Sequence, residues 1–182
     1  AEKLAKKNGE AEHAYVYNWR LWHTQKVKLK KQYDELNDEK EKKNFNWSSM
    51  YSIQLRNLQK LVKAVPNDPL LRVEYALNFN NLGKHKEAIK NYETALTLNK
   101  EIHGVYNLLG YTYLDMKDYA SAEKYFDIYL EKLPNTAKPY DSKGDYYFAM
   151  KDYKKALQHY EKAFNINSDF ITSKEKADEV RT

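Results

Sequence analysis

Tyr106-Asn107-Leu108-Leu109-Gly110-Tyr111-Thr112-Tyr113, continued by Ala122-Glu123-Lys124-Tyr125-Phe126 and closed by Pro134, is the stretch on which the fold turns. Its key positions return every 34 residues, as Ala88, Ala122 and Ala156, as Tyr92, Phe126 and Tyr160, and as Ala76, Gly110 and Gly144. The loops keep the same step: Met116-Lys117-Asp118-Tyr119 recurs as Met150-Lys151-Asp152-Tyr153, and Leu82-Gly83-Lys84-His85 holds the equivalent place one period earlier. A fixed period of this length predicts a helical repeat array. Each unit reads as a helix hairpin in which Gly110 or Gly144 on the first helix lets the second approach, Ala122 or Ala156 returns the fit, and large rings fill the neighbouring gaps. One hairpin cannot cover its own apolar face, so hairpins stack, and about three are needed for stability.

Upstream, Pro66 ends a helical stretch from about Trp47 to Ala64 whose Ile53, Leu55, Leu58, Leu61, Val62 and Val65 keep helix spacing. It reads as the second helix of an earlier, degenerate unit. The first helix of that unit begins near Glu12, with Tyr15, Trp19, Trp22, Leu29, Tyr33 and Leu36 as a stripe broken by Lys26. Glu12 to Pro66 spans 55 residues where His103 to Pro134 spans 32, and the 23 extra lie largely in the charged segment from Lys26 to Lys43. Residues 1–8, closed by Asn8-Gly9, read as the last turns of a preceding helix, and Thr172 to Val180 as a polar terminal helix of the kind solenoids need for solubility. Both ends read as truncation points in a longer protein.

The central unit, Tyr106-x-x-Leu109-Gly110-x-x-Tyr113, then Ala122-x-x-x-Phe126, then Pro134, resembles the tetratricopeptide repeat pattern with Tyr106 in place of the leading Trp. The third unit departs from it at Lys143, which replaces Leu, and at Ser168, which replaces the closing Pro. The resemblance covers residues 69–170. It implies an all-α, right-handed superhelical array, an α-solenoid of antiparallel hairpins. The units are an expanded N-terminal repeat over 1–68, regular repeats over 69–102, 103–136 and 137–170, and a capping helix over 171–182. The runs Leu109-Gly110-Tyr111, Tyr129-Leu130-Glu131 and Pro139-Tyr140-Asp141-Ser142 further resemble small stand-alone bacterial members of the family, some of them exported.

Composition agrees with a thin, amphipathic core: 42% of residues are hydrophobic and 31% charged, and 17 Tyr against 6 Phe means that many buried rings carry a hydroxyl in need of a partner. There is no Cys, which excludes disulfides, thiolate metal sites and Cys nucleophiles. No run approaches the roughly 20 apolar residues of a membrane span. The start Ala1-Glu2-Lys3-Leu4 lacks a signal-peptide apolar stretch, so both a bacterial cytoplasm and an envelope reached after signal removal stay open. The net charge of +5 sits in the N-terminal third, where residues 1–65 hold 14 basic against 8 acidic side chains, and residues 66–182 hold 17 against 18.

Chemistry is not written into the chain. The five His fall in no metal-ligand spacing, His85 takes the hairpin-turn place of Tyr119 and Tyr153, and phosphate loops and Gly-x-Ser-x-Gly elbows are absent. A non-catalytic protein with no cofactor and no metal is expected. Asn46-Trp47-Ser48 fits a glycosylation sequon but reads better with Asn46 as a helix cap. Asp34, Glu35, Asp38, Glu39 and Glu41 read as a solvated helix face interleaved with Lys. Lys26, Lys28, Lys30 and Lys31 beside Trp19, Arg20 and Trp22 raise a nucleic-acid reading, which the burial expected of both Trp and the adjacent acids weaken.

The resemblance implies that the first helices of successive hairpins line a concave surface holding a peptide or protein segment. The matching residues are Leu70, Val73, Leu77, Asn80 and Asn81, then Gly104, Asn107, Tyr111, Leu114 and Asp115, then Lys138, Asp141, Asp145, Phe148 and Ala149. On this reading the Asn amides hold a peptide backbone, Tyr111 and Phe148 anchor apolar groups, and Asp115, Asp141 and Asp145 favour Lys or Arg on the ligand. The family's carboxylate clamp for chaperone tails maps to Val73, Leu77, Leu108, Lys138 and Ser142, of which Lys138 alone could serve, so a chaperone-tail adaptor is not expected. The expected function is a protein-binding scaffold for an unknown protein or peptide. The alternative is a homo-oligomer formed through the seam of Tyr15, Trp19, Trp22, Leu29, Tyr33 and Leu36, and the weakest reading a nucleic-acid-binding array.

Overall fold

The structure, a computed structural model, describes residues 27, 28, 30–35, 38 and 47–181. From Ser48 onward these residues form eight helices: α1 (Ser48–Ala64), α2 (Pro69–Asn81), α3 (His85–Leu98), α4 (Gly104–Asp115), α5 (Tyr119–Lys132), α6 (Ala137–Ala149), α7 (Tyr153–Ile166) and α8 (Ile171–Arg181). There is no strand among the described residues, and the chain is an all-α helical-repeat array. None of the described helices is long and apolar enough to cross a membrane. The chain divides into two compact units, residues 1–99 and 100–182.

Local sequence sets the helix boundaries. Asp68 caps α2, its carboxylate accepting from the amides of Leu70 (2.9 Å) and Leu71 (3.0 Å), and Pro69 occupies the first turn, where no amide donor is needed. Asp118 and Asp152 repeat the device on α5 and α7 through the amides of Ser121 and Lys155, each at 3.2 Å. At α1 the cap position falls on Trp47, which makes no side-chain cap bond; Asn46, expected to cap this helix, lies outside the described residues.

Each first helix turns into its second through one residue with a left-handed backbone. In the first unit it is Gly83 (φ 70°), but in the second unit Lys117 (φ 60°) and Lys151 (φ 61°) take it. A side chain there crowds the carbonyl, so Lys151→Gly is expected to stabilise the fold by about 0.5–1 kcal/mol, the gain trimmed by the freer unfolded chain. A thermal midpoint that falls instead would show that the lysine side chain offsets its own strain.

In the first unit Leu58, Leu61 and Val62 of α1 pack on Leu71 of α2, with Val65 and Tyr75 at the margin. Ile53, expected on the same apolar face, is 40% exposed. In the second unit Ala122, Phe126 and Tyr146 form one cluster and Ala156, Tyr160 and Ala177 the next. The glycines do here what the period requires: a Cβ on Gly110 would meet the Phe126 ring at 2.6 Å, and one on Gly144 would meet the Tyr160 ring closer still. Lys143, which stands for the pattern's Leu, is 3% exposed and reaches Asp127 (2.7 Å) and Glu123 (3.3 Å) on α5 while lying over the rings of Tyr146 and Tyr147. Its long stem fills the apolar place and its ammonium leaves through two carboxylates at the rim.

Candidate interaction surface

Within the second unit, α4, α6 and α8 bring residues one period apart side by side. Tyr111 of α4 donates its hydroxyl to Oδ2 of Asp145 on α6 at 2.7 Å, a contact between residues 34 apart. Oδ1 of the same carboxylate accepts from the Tyr160 hydroxyl (2.9 Å) and from Nζ of Lys176 on α8 (2.7 Å). One turn earlier Asp141, 2% exposed, accepts from Ser173 Oγ (2.9 Å), Lys176 Nζ (3.0 Å) and Lys138 Nζ (2.8 Å). Asp141 and Asp145 were expected to meet a basic group on a ligand; the lysines they meet are the chain's own, Lys176 for both and Lys138 for Asp141.

The charges respond to this arrangement. Burial pushes the Asp141 carboxyl up, but the bonds and charges of Lys138 and Lys176 outweigh it and hold the group below the ordinary carboxylate range. Lys176 is likewise opposed by burial and held above the ordinary lysine range by Asp145 and Asp141. Burial, then the neighbouring Asp145, raises the phenols of Tyr111 and Tyr160, so both stay protonated donors. The stability contributed by Asp141 is complete above the unfolded carboxylate value of about 3.9 and is lost as pH falls through the lowered folded value. That of Lys176 is complete below its ordinary value and is lost as pH rises through the raised one. Urea midpoints between pH 7 and pH 3 should therefore fall with acid, and fall less in Asp141→Asn than in the parent chain; equal slopes would remove this carboxylate from the acid limb.

The other expected surface residues divide by unit. In the second, Asn107 is half-buried and its Oδ1, shielded from solvent, has no hydrogen-bond partner among the described residues. Gly104, Asp115, Lys138 and Ala149 are exposed, and Phe148 is exposed with its ring edge-on to Tyr153 at 5.5 Å. Tyr111 and Leu114 are half-buried against the Phe126 cluster. In the first, Leu70 is 60% exposed, Val73 and Leu77 are half-buried, Asn81 is exposed, and Asn80 holds His85 Nδ1 at 2.8 Å. The amide expected to bind a peptide at Asn80 thus braces the hairpin turn.

Of the N-terminal seam, Tyr15, Trp19, Trp22, Leu29 and Leu36 lie outside the described residues. Tyr33 lies with its ring 5.8 Å from that of Trp47. Lys30 and Lys31, weighed for nucleic acid, pair with Asp34 (3.0 Å) and Glu35 (3.9 Å) one helical turn on. Among the described residues no group of three or more His, Asp or Glu is placed to hold a metal ion. Sequence reasoning missed Ser173 and Lys176. The signal was the period itself, which puts Ile171 34 residues after Ala137 and makes α8 a first helix rather than a generic cap.

Tetratricopeptide repeat family profiles match residues 72–102 and 101–169. Solved structures with the same fold include MamA residues 41 to the end from Desulfovibrio magneticus RS-1 (TM-score 0.58, 19% identity, 72% of this chain and 80% of that one). Another is the Cut9–Hcn1 hetero-tetramer of the APC/C (TM-score 0.64, 19% identity, 72% of this chain and 27% of that one). A third is the first tetratricopeptide repeat domain of Spaghetti (RPAP3) bound to the HSP90 peptide SRMEEVD (TM-score 0.56, 18% identity, 62% of this chain and 90% of that one). A search of curated proteins returned no match. Helix pairs that recur with a 34-residue step, small residues where rings must pass and profile matches across 72–169 agree, and the chain belongs to the tetratricopeptide repeat family.

Proposed function

We propose that this protein is a non-catalytic interaction module that binds an extended peptide or protein segment on the first-helix face of its repeats. Membership of a family of helical interaction repeats supports the class of function. The observation that carries the site is Asn107: its side-chain carbonyl is shielded and has no partner among the described residues, and along α4 Gly104 and Asp115 are exposed. A buried acceptor without a donor costs about 1–3 kcal/mol, which a peptide N–H placed there would recover. Gly104 and Ala149 present no large side chain, and Phe148 offers an exposed ring.

The ligand differs in kind from the acidic chaperone peptide of the RPAP3 structure. Of the residues that match the family's carboxylate clamp, Lys138 alone is basic, and its ammonium is tied to Asp141 at 2.8 Å. Exposed Asp115 favours a neutral or basic segment.

Because Tyr111 braces Asp145, its removal would disturb the fold as well as the surface, and Asn107→Ala is the cleaner probe. Peptides selected from a displayed random library on the parent chain should bind Asn107→Ala about 10-fold more weakly by calorimetry, as loss of one shielded hydrogen bond implies. Peptides that bind both chains equally, or a library that yields none, would sink the α4 site.

A further inference from the structure

α8 occupies the place of a first helix, yet it is held differently from α4 and α6. Its apolar hold is small: Ala177 is buried against Ala156 and Tyr160 with Val180 at the margin, while Ile171 is 60% exposed. Where Gly110 and Gly144 give space to a ring, the residue one period on is Asp178, paired with Arg181 at 2.6 Å. What fastens α8 is polar and directional: Ser173 Oγ and Lys176 Nζ on the Asp141 and Asp145 carboxylates of α6, and the Arg181 guanidinium on Glu161 of α7. Elements held with little buried apolar area open more readily than the core they rest on.

The surface exposed by such opening is specific. Asp141 and Asp145, one turn apart on α6 and backed by the hydroxyls of Tyr111 and Tyr160, call for a hydroxyl and an ammonium three residues apart on one helix face. That is the chemistry of α8 itself. Only Asn167–Phe170 joins α7 to α8, a turn closed by the Asp169 amide on Asn167 Oδ1 (3.0 Å) and the Phe170 amide on the Asn167 carbonyl (3.0 Å). If that turn extends, every contact of α8 is available unchanged on another copy, and the two forms differ only in the turn and in the entropy of association.

We propose that the α6–α7 surface bearing Asp141, Asp145 and Tyr160 accepts α8 from a second copy of this chain, so that two copies exchange α8 reciprocally into a dimer. The chain has no cysteine, so Glu161→Cys with Arg181→Cys in the full chain reports on α8 alone when treated with a short bis-maleimide. The expected result is a covalent dimer of twice 21.6 kDa whose share rises with protein concentration, above the level of either single-cysteine variant. Asp145→Lys and Lys176→Asp, each repelled within its own chain, should be monomeric alone and dimeric when mixed in equal amounts, by light scattering. Cross-links confined to one chain at every concentration would overturn the proposal. So would a dimer whose 161–181 link stays within one chain, which assigns self-association to another surface. If the charge variants lose helicity by circular dichroism, the cysteine pair, which leaves both carboxylates and Lys176 in place, decides alone.

Discussion

Gly144→Ala is expected to lower the unfolding free energy of the chain by about 2–3 kcal/mol, a large share of the stability of any small domain. The added methyl would fall inside contact distance of the Tyr160 ring, and that ring has nowhere to go. Tyr160 is 2% exposed, its face carries the Lys176 ammonium, and its hydroxyl is tied to Asp145. Gly110→Ala should cost a similar amount against Phe126, whose ring is fully buried and lies edge-on to Tyr111 at 5.1 Å. Gly104→Ala provides the comparison, since among the described residues nothing beyond its own helix backbone and chain neighbours lies within 4 Å of the position a Cβ would take there. Removing a glycine from a helix should there be neutral or favourable. Urea unfolding of the three variants decides the matter: if Gly144→Ala unfolds with Gly104→Ala, the close approach of α7 to α6 does not govern the packing.

Asp141→Ala should cost about 2–3 kcal/mol, because it strands a fully buried Ser173 hydroxyl and removes one of two carboxylates facing Lys176. Lys138 adds little to that figure, since its side chain is 46% exposed and returns to water. Asp141→Asn keeps the shape and an acceptor for Ser173, and should retain part of the loss. The damage is local, so α8 amides should exchange with solvent faster in Asp141→Ala while those of α4 hold their rate. Uniform acceleration along the second unit would mean that Asp141 supports the whole unit rather than the docking of its last helix.

The sequence made the architecture legible for a definite reason. A 34-residue step with Ala, Gly and ring positions in register records which side chains must be small and which large where helices meet, and those requirements recur at every interface. The aspartates at 68, 118 and 152 start their helices through backbone amides within three residues, a local effect that needs no tertiary contact. The candidate surface was less legible. Asp141, Asp145, Tyr111 and Asn80 were given outward roles by the family resemblance, yet three of them bind Lys176, Ser173 or one another and the fourth binds His85.

By itself, then, the sequence determined the helices from α1 onward, their pairing into hairpins and the family. Each follows from a pattern of size and polarity that repeats along the chain. Only the tertiary structure decided which polar groups are free. A carboxylate on a helix reads the same in sequence whether a ligand or a neighbouring helix neutralises it. The difference lies in whether a lysine 31 or 35 residues away comes within about 3 Å, a distance that hydrogen bonding requires and linear spacing does not encode.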